Sequence, residues 1–188
     1  MKKLSIVLVS SACMLYACNN SQPATASASP DSTATATAKK EVLNYPYKAK
    51  YSLNWQAGDE KNAVIALQSM KTFNDGDIAG SVKDFADSAE IILDRVHFKA
   101  SKDSVKNFFA KYRKEYKEIN VVPDTWITTY YPDQKDTWVT IWYTQTWTDI
   151  KGKVDSAYYA DDLLINDGKI KVFDEKQRLF PLPAPGKK

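Results

Sequence analysis

Residues 158–170 read YYADDLLINDGKI, and this stretch decides the fold. It joins a run of strand-forming residues to an Asp-Gly pair at positions 167 and 168, a turn signal between two strands. Asp161 and Asp162 interrupt the strand, although acids are depleted in strands and are costly to bury without partners. Because side chains alternate along a strand, the two carboxylates must point to opposite faces of the sheet. They therefore cannot bind one metal ion together.

Four segments rich in Val, Ile, Thr, Trp and Tyr follow one another in the second half of the chain: residues 121–131, 137–148, 153–165 and 169–174. Turn signals separate them, an order typical of an antiparallel meander. In the first half, apolar residues recur at helical spacing after Asp59 and Ser101, with a short helix holding Val82 and Phe85 between them. A brief strand over residues 89–93 precedes Ser101. Three helices followed by a curved sheet predict an α+β fold.

The first twenty residues, MKKLSIVLVSSACMLYACNN, have the basic start, short apolar run and small-residue end of a secretory signal. The segment LYAC, which ends at Cys18, resembles a bacterial lipobox. This resemblance implies removal of residues 1–17 as a lipoprotein signal peptide and acylation of Cys18. Two alternatives are a lipid on Cys13 and a plain secretory peptide in which Cys18 is incidental.

The residues after the signal divide into a linker and a domain. Residues 18–40 begin with the lipidated cysteine and continue as Ser/Thr/Ala/Pro-rich sequence, which is typical of a disordered tether. Residues 41–188 form one domain, long enough to bury a substantial core. We therefore expect a lipid-anchored protein of the bacterial cell envelope that faces the periplasm, on either the inner or the outer membrane.

Composition excludes several classes of site. Both cysteines lie in residues 1–18 and His97 is the only histidine, so we expect no disulfide, no metal site and no cofactor in the domain. The formal charge is +3, and removing residues 1–17 takes away two lysines and no acids, which leaves +1. A nearly neutral domain gives no electrostatic argument for binding nucleic acid.

Four segments together resemble the nuclear transport factor 2-like superfamily, in its SnoaL-like branch, which is related to ketosteroid isomerase and limonene epoxide hydrolase. They are residues 73–77 (FNDGD), 85–89 (FADSA), 101–109 and 161–170, in the family's order and spacing. The resemblance implies a cone-shaped α+β barrel with three N-terminal helices packed on a curved antiparallel sheet. It also implies an open mouth that admits a small, mostly apolar ligand.

In the resemblance, Asp161 takes the position of an inward polar residue seven places before the turn glycine. A three-residue loop at 150–152 places Asp161 opposite Ile141, and strand alternation then collects the other pocket candidates. These are Tyr143, Tyr159, Leu163 and Ile165, with Val139 beside them. A slip of one residue would instead pair Asp161 with the Trp138/Trp142 face. Asp162 is expected on the solvated outer face.

Two of the three groups that an isomerase would need are missing. The resemblance places the general base at Leu93 and the tyrosine of the oxyanion hole at Ser69, and neither residue can do that chemistry. We therefore favour non-catalytic binding of a small apolar molecule. The alternatives are acid/base catalysis of the cyclase, isomerase or hydrolase type by Asp161, and a purely structural role for this carboxylate.

The stripe Trp138, Thr140, Trp142, Thr144 and Thr146 occupies the other face of its strand. Exposed tryptophans are expected to be covered by a partner subunit, by the N-terminal segment or by a ligand such as a sugar. Relatives often dimerise through this surface, so a homodimer with Trp138 and Trp142 at its interface is our default expectation. The segment over residues 47–51 could also pack across it.

Overall fold

A computed structural model describes residues 43–94 and 96–180 of the chain. The chain divides after Tyr45, and the fold below is that of the second unit, Pro46–Lys188. The expected signal peptide, the expected lipid-attachment residue Cys18 and the expected tether over residues 18–40 lie outside the described residues. Within the described part, no helix combines the length and the apolar character needed to cross a membrane.

Among the described residues, three helices lie in the first half of the domain: α1 (Lys61–Asn74), α2 (Ile78–Ser81) and α3 (Lys102–Arg113). Both predicted capping side chains act at helix starts. The backbone N–H of Lys61 donates to Asp59 Oδ1 at 2.9 Å, and that of Ser104 donates to Ser101 Oγ at 3.3 Å. Side-chain oxygens thereby satisfy N–H groups that have no partner within the helix.

Helix α2 is shorter than the sequence predicts. It ends at Ser81, with Val82 as its C-terminal cap, and Phe85 begins a strand instead of continuing the helix. Gly80 sits in the single turn of α2, where a Cβ atom would lie 2.2 Å from Asp77 Oδ2. The Asp77 carboxylate accepts the N–H of Gly80 at 2.8 Å, so this glycine permits the tight cap that starts the helix.

Seven strands form one curved, open sheet in the order β1-β4-β5-β6-β7-β2-β3. Their bounds are β1 Gln56–Ala57, β2 Phe85–Leu93, β3 Val96–Ser101, β4 Tyr116–Tyr131, β5 Asp136–Asp149, β6 Val154–Asn166 and β7 Lys169–Leu179. Strands β4 to β7 are the predicted antiparallel meander. Strand β2 joins it through a parallel pairing with β7, so the sheet is mixed. Strands β1 and β3, which the sequence did not predict, are the edges of the described sheet.

The hairpin turns carry the residues that their geometry needs. Asp167 and Gly168 connect β6 to β7 with φ values of 53° and 69°, and two positive φ angles are what a two-residue type I′ turn requires. Between β5 and β6, the N–H of Asp149 donates to the carbonyl of Lys153 at 2.9 Å, which closes the predicted three-residue loop. Gly152 in that loop has a φ of 86°.

The core lies between the concave face of the sheet and helices α1 and α3. Buried residues from β2, β5, β6 and β7 meet Ala63 and Ala66 of α1 and Val105 and Phe109 of α3. Aromatic rings fill the space near α3, where Phe109 contacts Phe73, Phe85 and Phe173 edge-on at centroid distances of 5.6, 5.7 and 6.1 Å. One part of this interior is not filled by side chains, and it forms the pocket described next.

Candidate functional site

A pocket opens between α1, α3 and the concave face of the sheet. The space open to the centre of a water molecule is about 60 Å³, several times the 10–15 Å³ or so that one water needs. Aromatic and aliphatic side chains make most of its wall, and the polar groups include two carboxyls, Asp161 and Glu175. Four of the sequence-predicted pocket residues line it: Ile141, Tyr143, Asp161 and Leu163.

Asp161 stands in the register that the sequence predicts, opposite Ile141 across the β5–β6 pair. The residue is 2% exposed. Tyr143 Oη donates to Asp161 Oδ2 at 3.0 Å, whereas Oδ1 has no hydrogen-bond partner among the described residues. Burial raises the pKa of Asp161 well above its ordinary value, and the charge of Glu175 raises it further, against the opposing effect of the Tyr143 hydrogen bond. Ionisation of Asp161 is therefore disfavoured inside the pocket.

Glu175 is a second pocket acid, which the sequence analysis missed. It lies directly opposite Asp161 on β7 and beside Leu93 on β2, and its side chain is half-buried in the pocket wall. Burial raises the pKa of Glu175 to about 7, with a further contribution from the charge of Asp94. The expectation of a single pocket carboxylate is therefore wrong.

The position of Glu175 follows from a β-bulge. Ile165 pairs with Ile170 but Leu164 pairs with Val172, so Lys171 is an extra residue that reverses the phase of β7 beyond it. Regular alternation from Ile170 would have turned Asp174 toward the pocket, but the bulge turns Glu175 there instead. The predicted strand also stopped at residue 174. The sequence signal for an acid at this place was the Asp167-Gly168 hairpin turn followed by the run Phe173-Asp174-Glu175.

Two tyrosines support Asp161 from the sheet. The rings of Tyr143 and Tyr159 stack at a centroid distance of 5.1 Å and an interplanar angle of 7°. Tyr159 Oη accepts a hydrogen bond from Gln177 Nε2 at 2.6 Å, and burial raises the pKa of both phenols. Tyr159 is buried behind Tyr143 and does not line the pocket, so it orients the Tyr143 ring.

The remaining residues that the sequence singled out lie at two separate places, a polar groove and the pocket. Ile165 is fully buried and contributes to a separate polar groove beside the β6–β7 turn, away from the two carboxyls. Leu93 and Ser69 both line the pocket, at the positions that the isomerase comparison singled out. Ser69 Oγ donates to the carbonyl of Ser81 at 2.7 Å, so its hydroxyl is used in joining α1 to α2.

Arg113 fixes the backbone at the rim of the pocket. We define the rim as the partly exposed lining residues Asn74, Tyr112 and Tyr116. Its guanidinium donates to three backbone carbonyls, those of Phe73 at 3.1 Å, Asn74 at 3.1 Å and Tyr116 at 2.6 Å. One side chain thus ties together the end of α1, the end of α3 and the start of β4. Tyr112 is 38% exposed, and its ring contacts that of Tyr116 at 5.5 Å.

Asp162 lies on the outer face of the sheet, as predicted. It accepts a hydrogen bond from Thr140 Oγ1 at 2.5 Å and pairs with Lys176 Nζ at 2.7 Å. Lys176 also pairs with Asp174 at 2.8 Å on the same face. In the described residues, no group of three or more His, Cys, Asp and Glu side chains could hold a metal ion.

Trp138 and Trp142 are half-buried on the outer face. Tyr51 covers Trp138: its ring meets the indole edge-on at 6.4 Å, and Trp138 Nε1 donates to Tyr51 Oη at 3.0 Å. Part of the 47–51 segment therefore does pack across this face, while Tyr47 is 86% exposed. Trp142 stands between Thr125 and Ala160 of the neighbouring strands.

No protein-family model and no curated protein matches this chain. Solved structures do resemble it. An NTF2-like (nuclear transport factor 2-like) protein of unknown function from Burkholderia pseudomallei has a TM-score of 0.52 at 15% identity, covering 62% of this chain and 90% of its own. AusH from Aspergillus nidulans has a TM-score of 0.52 at 14% identity, covering 65% of this chain and 87% of its own. AclR from Streptomyces galilaeus, proposed to be a hydroxylase, has a TM-score of 0.54 at 16% identity, covering 69% of this chain and 91% of its own.

At these identities the likeness concerns the fold. The chain is an α+β protein with the cone fold of NTF2-like proteins. Structures of this fold include a protein of unknown function as well as one proposed to be an enzyme, so the fold alone does not define an activity.

Proposed function

We propose that this protein binds a small, mostly apolar molecule in the pocket of its cone without converting it. The observation that supports this most strongly is the buried carboxyl of Asp161, which has one oxygen without a hydrogen-bond partner among the described residues and lies in a pocket with apolar walls. A buried polar atom without a partner is destabilising, and a ligand that supplies one gains that free energy on binding.

The space open to a water centre, about 60 Å³, indicates a compact ligand or a compact part of one. At the two wall positions where the resemblance places the base and the phenol of an isomerase, Leu93 and Ser69 offer neither group, which favours binding over isomerase chemistry. The anchoring of the domain through Cys18 and its periplasmic location remain part of the proposal, and they rest on the sequence alone.

A pocket-filling variant tests the proposal. Met70 lines the pocket from α1, whereas Val64 on the same helix is 64% exposed. Binding of a library of small compounds, each with a hydrocarbon body and one polar group, is followed by saturation-transfer NMR. We expect Met70→Trp to weaken every pocket ligand about tenfold or more and Val64→Trp to leave binding unchanged. Equal binding by wild type and a folded Met70→Trp protein would place the ligands elsewhere and refute the proposal.

A second candidate function is acid/base catalysis. It is favoured by the presence of two pocket carboxyls, because a Glu175 pKa of about 7 suits a proton-transfer group near neutral pH, and burial holds the pKa of Asp161 beside it well above its ordinary value. Turnover of a bound compound that Glu175→Gln abolishes while binding persists would establish this function.

A further inference from the structure

The two acids of the pocket face an aromatic wall. Phe73, Phe109, Tyr112, Tyr116 and Phe173 line the same space as Asp161 and Glu175. Aromatic faces carry negative charge density and attract cations, and this attraction strengthens where water is excluded. Two carboxyls and several aromatic rings thus surround one small space.

The carboxyl pair has no basic partner within the described chain. Among residues 43–94 and 96–180, no Lys, Arg or His nitrogen lies within 4.0 Å of either carboxyl. The lysine nearest in register, Lys176, points to the outer face and pairs with Asp162 and Asp174 there. The charge of Lys176 lowers the pKa of Asp161 only as the smallest of the effects on it, so among these residues no direct ion pair neutralises a charge in the pocket.

A neutral ligand and a cationic ligand would use this arrangement differently. A carbonyl oxygen only accepts hydrogen bonds, so it can bond a carboxyl only while that carboxyl holds its proton, whereas a hydroxyl can accept from one carboxyl and donate to the other but brings no charge. A protonated amine brings several N–H donors and a positive charge, so it can bond both the unpartnered Oδ1 of Asp161 and the carboxylate of Glu175. Only the cation adds the attraction of opposite charge to these hydrogen bonds, both with the Glu175 carboxylate and with the aromatic rings.

We infer that the pocket takes a small primary or secondary amine in its protonated form, with the ammonium group between Asp161 and Glu175 and the hydrocarbon part against the aromatic wall. This inference rests on the proposed binding function and specifies its ligand class. The volume of the pocket restricts the buried part of the ligand to a few heavy atoms around the nitrogen, with any longer part leaving through the rim.

Matched amines and alcohols test the inference. Isothermal titration calorimetry on the full chain at pH 7 compares butylamine with butanol, cyclohexylamine with cyclohexanol and benzylamine with benzyl alcohol. Each pair shares its hydrocarbon body, so any difference in affinity reports the charged group. We expect at least one amine to bind about tenfold or more tightly than its alcohol, because hydrogen bonds to charged groups are about twice as strong as neutral ones.

Two neighbouring acids on β7 provide a matched pair of variants. Glu175→Gln is expected to weaken amine binding about tenfold and to leave alcohol binding within about twofold. Asp174→Asn removes the same charge from the adjacent residue on the outer face and should change neither. A drop in amine affinity in both variants would indicate a general effect of net charge and would overturn the inference.

The remaining outcomes separate the inference from the function on which it rests. If alcohols bind as tightly as amines, the amine class is refuted and the proposed binding function stands. If Glu175→Gln is folded by circular dichroism and binds amines like wild type, Glu175 does not hold the cation and the inference also fails. If no member of the three pairs binds wild type, both proposals are refuted for compact ligands.

Discussion

Asp161 and Glu175 lie directly opposite each other on neighbouring antiparallel strands, both on the concave face of the sheet. Like charges in such a cross-strand pair repel, and burial disfavours ionisation of each. The pair therefore carries fewer than two negative charges at neutral pH. Its state of protonation links the stability of the fold to pH and to whatever enters the pocket.

Stability should decrease as the pH rises from about 5 to 8. The pKa of Glu175 is about 7 in the folded state and 4.5 in its ordinary state, so the folded protein holds a proton that the unfolded chain has lost. The stabilising contribution is complete below the unfolded pKa and disappears as the pH passes the folded one. Urea denaturation at pH 5 and pH 8 should show wild type losing about 2 kcal/mol more than Glu175→Gln over this interval.

Asp174→Asn is the control for that experiment, because Asp174 forms an exposed ion pair on the opposite face of the same strand. Its pH profile should follow that of wild type. If the unfolding free energies of wild type and Glu175→Gln changed in parallel between pH 5 and pH 8, the raised pKa of Glu175 would be contradicted.

Asp161→Asn should fold with a stability within about 1 kcal/mol of wild type at pH 6, because burial disfavours the charged form of Asp161 and a neutral amide of the same shape replaces it. Its side-chain oxygen can still accept the bond from Tyr143. Asp161→Ala should cost about 2 kcal/mol, since it leaves the buried Tyr143 hydroxyl without that acceptor. Thermal denaturation of both variants measures the difference, and equal losses would show that the Tyr143 bond is unimportant.

Arg113→Met should lower the unfolding free energy by about 2–4 kcal/mol. It keeps most of the side-chain volume but removes three hydrogen bonds to backbone carbonyls that join two helices and a strand. Lys111→Met, an exposed position in the last turn of the same helix, is the control and should change stability by less than about 0.5 kcal/mol. Equal urea midpoints for the two variants would contradict a structural role for the Arg113 guanidinium.

The outer face is expected to form a homodimer interface around Trp142. Trp142→Glu places a charge on this face and should shift the sedimentation mass of the full chain from dimer to monomer. Tyr47→Glu introduces the same charge at a residue that is 86% exposed and should leave the mass unchanged. A wild-type chain that sediments as a monomer would contradict the expected homodimer.

Cys18 is the expected site of lipid attachment. Metabolic labelling with a fatty acid should disappear in Cys18→Ser and persist in Cys13→Ser, because only the former removes the acylated thiol of the lipobox-like segment. Labelling that is lost in Cys13→Ser instead would move the anchor to the alternative cysteine. The absence of label in wild type would favour a plain secretory peptide.

Alternation along single strands was enough to predict much of the pocket. It separated Asp161 from Asp162, and the loop length gave the register with Ile141. The partner of Asp161 could not be found in this way, because the bulge at Lys171 reverses the alternation and strand β7 runs five residues beyond its predicted end. Predicting a second carboxyl beside Asp161 therefore required the pairing of β6 with β7. The residue pattern of one strand does not give that pairing.

Short-range signals failed where tertiary pairing overrode them. The spacing of Phe85 predicts a short helix, but its pairing with Ile170 of β7 makes it the first residue of strand β2. Ser101 was predicted correctly as the N-cap of α3, because the chemistry of a helix start is local. In α1 the N-cap is Glu60, one residue after the predicted Asp59, whose side chain accepts the N–H of Lys61.

The three carbonyls that Arg113 holds also bear on how fast a ligand can come and go. Because these bonds fix the backbone of the rim at Phe73, Asn74 and Tyr116, we expect the proposed ligand to enter by rotation of rings such as the partly exposed Tyr112. Such rotations take picoseconds to nanoseconds, whereas the opening of a lid takes microseconds to milliseconds. Residence time is then governed by contacts within the pocket, and occupancy would follow the surrounding concentration of the ligand with little delay.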